Sequence, residues 1–376
     1  MDTTFNDLPA EVQEMVLAFL TQRDLSACVR VCRSWKTLFH PRLWRHIELC
    51  WKADDEDDKD DKDYEAEDDS GTWQKRVAEA MEASGHLVQS LKLKFDEKGG
   101  KLSSFLRHCS QSTFPNLTSA EVDFQFGEDD GSQDIDVGIA TFINLSSAGW
   151  KRLVIQKSRK PHSFLPFWWE SHKALLKHAS TLVAIRMCCK LTISQETIDQ
   201  LLCTAPNLKE AYFYGDGDIV RGARMDAREI EESKWVCDNL EVFGCRIGKI
   251  LRPDITRNRY VNALRARGLA KQGSHEESIY FQQQVYAKLA RLTKLRELTL
   301  GFPIITDETD DFEGYKYSYR QYDCLAMTVD SGLDMLKDLK DLRKVDLTNM
   351  EVYIDGEQEQ AWFKKSWPNA TIERLE

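Results

Sequence analysis

Few residues in this 376-residue chain are spaced for chemistry of their own. His162, His172 and His178 share one stretch, yet no nucleophile or acid is spaced to make a triad with them. Trp168 and Trp169 nearby read as helix-face packing residues. Cys28 and Cys32 lie one helical turn apart and Cys188 adjoins Cys189, which would suit thiolate ligation. However, none of the ten cysteines forms a C-x-x-C pair, and no histidine sits at ligand spacing beside them. Gly127-Glu128-Asp129-Asp130-Gly131 and Gly215-Asp216-Gly217-Asp218 share the composition of calcium loops but lack the alternating Asp and terminal Glu, so they read as turns. No G-x-S-x-G elbow, phosphate loop or H-E-x-x-H motif occurs. The expectation is a chain with no catalytic residue, cofactor or metal, whose cysteines are small buried hydrophobes of a reducing compartment.

Residues suited to gripping another molecule are more plentiful. A strand-like pattern, apolar-x-x-apolar-x-apolar, recurs along the chain, and its outward positions carry Lys92, Lys94, Arg152, Arg186, Tyr212, Tyr214 and Arg246, interrupted by Glu121 and Asp123. Arginine offers a planar fork to a carboxylate or phosphate and tyrosine offers a stacking face, so this column suits an acidic or phosphorylated segment. The plainer reading is a solvated sheet face.

A second group is apolar. Over residues 5–49, FNDLPAEVQEMVLAFLTQRDLSACVRVCRSWKTLFHPRLWRHIEL, three helices are expected, too small to build a stable core alone. Pro9 suits the first helical position and Glu11 the positive end of the helix dipole. Val12, Met15, Val16, Phe19 and Leu20 then follow at i, i+3, i+4, i+7 and i+8, one face of a 3.6-residue period. Asp24 is expected to cap a second helix through Leu25, Cys28, Val29 and Cys32. Ser34 is expected to cap a third through Trp35, Leu38 and Phe39, with Pro41 ending it.

This segment resembles an F-box, on Leu8-Pro9, Glu11-Val12, Phe19-Leu20, Asp24-Leu25, Val31-Cys32-Arg33-Ser34-Trp35 and Leu43-Trp44 in the family's order and spacing. The resemblance implies a module over 1–45 that docks on a Skp-type adaptor through Leu8, Pro9, Val12, Val16, Leu20, Leu25, Val29 and Trp35, some facing the adaptor and some the module's own core. The adaptor in turn holds a cullin and a RING subunit in an SCF ubiquitin ligase. An alternative is an adaptor-bound scaffold or trafficking component outside a cullin complex.

Eight copies of the strand pattern start at Val88, Leu117, Trp150, Leu182, Leu208, Leu240, Leu295 and Leu342, in steps of 29, 33, 32, 26, 32, 55 and 47 residues. Trp44/Ile47/Leu49 begins the series and 369–375 is a worn final copy. Pro115-Asn116, Pro206-Asn207 and Pro368-Asn369 mark the starts of three copies. Helical patterns lie between the strands, from Trp73 to Met81, Leu102 to Cys109, Ile135 to Leu145, Trp168 to His178, Ile193 to Cys203, Ile230 to Val236, Phe281 to Leu292 and Leu325 to Leu339. Strands and helices that each hide one face must cover each other, which gives an α/β solenoid with a curved parallel sheet and helices on the convex side. Residues 46–376 resemble irregular leucine-rich repeats. The family's Asn or Cys after the last strand Leu is replaced by Asp96, Gln125, Ser158, Lys190, Asp216, Gly248, Pro303 and Met350. In an F-box protein such a domain implies capture of a protein target for ubiquitylation and proteasomal degradation.

The net charge of −11 has a local origin, since residues 54–69 hold twelve Asp or Glu against two Lys. That run should be a disordered insertion in the first repeat. The long steps point to further insertions at 252–278 and 306–323, the second bearing Tyr315, Tyr317, Tyr319 and Tyr322, plausible recognition loops. No basic stripe suggests nucleic acid. No export signal or membrane span is read, so the expected location is cytoplasmic, nuclear or both.

Overall fold

A computed structural model describes residues 5, 8–51, 70–95, 102–109, 112–124, 132–157, 165–167, 169–188, 191–214, 223–255, 274–301 and 321–374. The acidic run, most of both proposed insertions, and His162, Trp168 and Cys189 lie outside these residues.

The chain opens with helices α1 (Ala10–Phe19), α2 (Gln22–Cys28) and α3 (Arg33–Arg45). Pro9 stands just outside α1 as its N-cap. The cap of α2 differs from expectation. Thr21 is the N-cap, and Asp24 is its capping-box partner, accepting from the Thr21 N–H at 2.9 Å while Thr21 Oγ1 accepts from the Asp24 N–H. Likewise Cys32, one residue outside α3, takes the place expected of Ser34. Pro41 does not end α3, which runs through it to Arg45. The last turn is held from both sides, because Leu43 packs on the small helical core and Trp44 on the large core that follows. These contacts offset the single backbone bond that proline removes.

Among the described residues fourteen strands follow: β1 (His46–Trp51), β2 (Ser90–Phe95), β3 (Ser119–Phe124), β4 (Arg152–Lys157), β5 (Leu165–Phe167), β6 (Ala184–Cys188), β7 (Leu191–Ile193), β8 (Glu210–Tyr214), β9 (Arg224–Asp226), β10 (Val242–Gly244), β11 (Arg246–Gly248), β12 (Glu297–Thr299), β13 (Lys344–Asp346) and β14 (Thr371–Glu373). Ten of them form one parallel sheet in the order β1-β2-β3-β4-β6-β8-β10-β12-β13-β14. Such an order, rising along the sequence with helices between strands, is consistent with a solenoid. Two parallel pairs, β5 with β7 and β9 with β11, sit beside it and were not evident from the strand pattern.

All three apolar positions of all eight copies are at most 1% exposed, from Val88, Leu91 and Leu93 to Leu342, Val345 and Leu347. One column in register, Ile47, Leu91, Ala120, Leu153, Ile185, Ala211, Phe243, Leu298, Val345 and Ile372, crosses the whole sheet. A backbone ladder joins the strand starts. The carbonyl of Lys151 accepts from the Val183 and Ala184 N–H groups, that of Val183 from Lys209 and Glu210, and that of Lys209 from Glu241 and Val242. The Pro-Asn dipeptides extend this ladder. Asn116 Nδ2 donates to the His86 carbonyl at 2.7 Å and Asn207 Nδ2 to the Ser180 carbonyl at 2.8 Å, each reaching back into the preceding copy. Polar backbone at the turns is thereby satisfied by the neighbouring copy.

The helix expected over Leu325 to Leu339 shrinks to one 3-10 turn at Leu333–Leu336. Met327 and Gly332 have positive φ, and the N–H groups of Ala326 and Met327 donate to Gln282 Oε1 and the Tyr286 hydroxyl instead of to their own preceding turn.

Candidate functional site

The helical module has a core of its own, Leu17, Leu25 and Phe39, against which Phe5, Leu20, Val29, Trp35 and Leu43 pack. Trp35 meets the Phe39 ring edge-on at 5.4 Å. With Leu17 turned inward, the regular stripe of α1 is turned outward. Met15 is 63% and Phe19 83% exposed, and Val12 and Val16 are also exposed. Val31, in the turn before α3, is exposed as well. An ion pair between Arg42 of α3 and Glu14 of α1 joins the two helices.

The eight residues expected to dock on an adaptor divide accordingly. Leu25 is buried in the module core; Leu20, Val29 and Trp35 pack against it; Leu8 is half-buried; and Pro9, Val12 and Val16 face solvent. Met15 and Phe19 were left out of that set although they lie on the same face. Their i, i+3, i+4 and i+7 spacing with Val12 and Val16 was the signal that could have found them.

The outward face of the large sheet is charged and mostly paired, with Asp123 Oδ1 lacking a hydrogen-bond partner. Lys94 meets Glu48 at 2.6 Å, Lys92 meets Glu121 at 2.7 Å, and Lys344 meets Glu373 at 2.8 Å. The Glu48 partner is lowered in pKa by its bond from Lys94, and Lys92 is raised by its bond to Glu121. Arg152 and Arg186 both reach Glu210, and the Arg186 guanidinium lies 5.1 Å from the centre of the Tyr212 ring. The structure thus brings Lys92, Lys94, Arg152, Arg186 and Tyr212 to one face. Tyr214 lies in β8, but its side chain is outside the described set. Arg246 does not join them. It sits in β11, paired with β9 instead of the large sheet, and is only 3% exposed. The main sheet strand there stops at Gly244, which moves Arg246 out of the column.

The chemical candidates are packed apart. His172 Nδ1 lies 2.6 Å from Thr197 Oγ1, and His178 packs edge-on against Trp150, where burial lowers its pKa. Burial pushes the thiols of Cys109, Cys237, Cys245 and Cys324 up to about 12, away from thiolate chemistry. Trp169, expected to be packed, is exposed, with its ring parallel to that of His172 and Lys173 over it at 4.5 Å. As the first residue of its helix it overhangs the core. Among the described residues, no group of three or more His, Cys, Asp or Glu could hold a metal, and no helix is long and apolar enough to cross a membrane.

A family model described as F-box-like matches residues 5–50, which covers the three helices and all but the last residue of β1. No curated protein matches the chain. F-box domains generally bind Skp-type adaptors, and at the family level this region suggests a substrate-adaptor role.

Proposed function

We propose that this chain is the substrate-recognition subunit of an SCF-type ubiquitin ligase. The F-box-like module docks on a Skp-type adaptor and, through it, on cullin and RING subunits. The α/β region, read as a solenoid of irregular leucine-rich repeats, holds a target protein for ubiquitylation and degradation in the cytoplasm or nucleus.

The observation that carries this reading is the outward stripe of α1, where Val12, Met15, Val16 and Phe19 stand exposed within the F-box-like match. An uncovered apolar helix face of this kind fits a groove on a partner. The chain itself does no chemistry on this reading. It raises the effective concentration of target lysines near an activated ubiquitin carried by the other subunits.

The test is recovery of the tagged chain from cells, followed by identification of what comes with it. Adaptor, cullin and RING subunits together are the expected result. Adaptor without cullin would replace this reading with that of a scaffold outside the ligase, and absence of the adaptor would overturn it.

A further inference from the structure

We propose that Arg152 and Arg186 form an anion clamp at the centre of the exposed sheet face, in which Glu210 holds the place of an anionic side chain from a partner protein. This deepens the receptor reading above and rests on it for the identity of the partner as a target.

Three neighbouring strands build the clamp. In register, Arg152 of β4 lies beside Ala184 of β6, which lies beside Glu210 of β8. The small Ala184 lets Arg152 and Glu210 meet across the strand between them, Nη1 to Oε2 at 3.3 Å. The Arg186 guanidinium pairs by charge with the other oxygen, Oε1, which accepts no hydrogen bond. Guanidinium groups are the usual receivers of a carboxylate or phosphate from another chain, and here two of them converge on one carboxylate.

The clamp is also preorganised. Arg186 rests on the Tyr212 ring, and that ring fills the space above Gly244 in the next strand, where an added Cβ would stand 2.4 Å from Tyr212 Cδ2. The side chains of Arg152 and Arg186 remain 46% and 34% exposed, against 15% for Glu210, so the arginines are the accessible part. The charge count together with the stacked ring distinguishes this node. The pairs Lys92–Glu121, Lys94–Glu48 and Lys344–Glu373 are one to one, whereas here two cations share one anion. Lys209 and Arg296 also share Glu241, at 3.5 and 3.4 Å, but both cations are more than half exposed.

The chemistry required of the occupant is an anionic group on a flexible side chain, which a phosphorylated residue or a Glu or Asp supplies. Three fluorescent peptide pools test this by anisotropy with the purified full-length chain: a degenerate sequence with a central phosphoserine, the same with Glu, and the same with Ser. Binding of the phosphoserine pool alone, or of it and the Glu pool, is expected, and distinguishes the two sources. Arg152→Gln or Arg186→Gln should weaken that binding at least tenfold. Glu210→Gln should tighten it severalfold, because it removes the internal competitor. That gain separates a clamp from a structural ion triad, for which loss of any member would only destabilise.

Equal binding of the Ser pool, no binding of any pool, or weaker binding by a folded Glu210→Gln variant would each overturn the clamp. Lys92→Gln, with its melting temperature, serves as the control for a general loss of surface charge. The titration needs no adaptor, so a failure to assemble a ligase and a failure of the clamp are read separately.

Discussion

The two exposed surfaces of this chain are built on opposite principles. The outward stripe of α1 presents four apolar side chains in one row. The outward face of the sheet carries acids and bases that answer one another strand by strand. Covering a large apolar side chain gains roughly 1.5–3 kcal/mol, whereas a surface ion pair is worth about 0–1 kcal/mol and is screened by salt. The first surface therefore suits a lasting attachment insensitive to salt. The second suits contacts that exchange one ion pair for another, as the movement of a target on and off a receptor requires.

The sharpest contrast within the module is between its core and its stripe. Phe39 is 2% exposed and lies between Phe5 and Trp35, so Phe39→Ala should cost about 3–5 kcal/mol and unfold the three helices at moderate urea. A change comparable to that of an exposed alanine substitution would show that the core assignment is wrong. Of similar size is Arg252→Met in the α/β region. Arg252 donates to the carbonyls of Cys324 and Glu351 and to the Asp254 carboxylate, with its side chain 2% exposed. Its loss strands the two carbonyl acceptors, at about 1–3 kcal/mol each, while the exposed Asp254 carboxylate regains water, and the change is measurable by denaturant midpoint.

A middle-sized effect depends on pH. Burial holds His178 below its ordinary value of 6.5, and His40 and His46 are lowered for the same first reason. A base depressed in the fold contributes stability that is full above 6.5 and is lost as the pH falls below that value toward the folded pKa. Urea midpoints at several pH values should therefore decline on acidification from neutrality, and less steeply in His178→Gln. An equal slope in the variant would remove His178 from the explanation.

The smallest effect is expected on the sheet face. Lys92 and Glu121 are each more than a third exposed, so a double-mutant cycle on the pair should give under about 1 kcal/mol and fade in high salt. A coupling that is large and salt-resistant would mean that this face is structural, and the contrast with α1 would dissolve.

Strand positions were legible because burial on a pleated surface fixes residue type at every second position, and each apolar position of the eight copies lies in the core. Legibility failed where long-range contacts overrule local signals. Pro41 looked like a helix end until Leu43 and Trp44 were seen held by two separate cores. Leu325 to Leu339 has a helical pattern, but side chains from the His275–Ala290 helix take its backbone N–H groups. At the sheet face, Glu210 gave no signal, because its meaning depends on standing two strands from Arg152. Arg246 was misplaced because a pattern cannot tell where one strand stops and a shorter one begins.

The most direct test of the central claim is a calorimetric titration of a Skp-type adaptor into the full-length chain and into a Met15→Asp, Phe19→Asp variant. Both side chains lie in solvent, so the variant should melt within a degree or two of the parent. Loss of hot-spot contacts worth at least about 2 kcal/mol should nevertheless weaken binding thirtyfold or more, and the parent affinity should change little with salt. A folded variant that binds the adaptor as tightly as the parent would contradict the assignment of α1 as the docking surface.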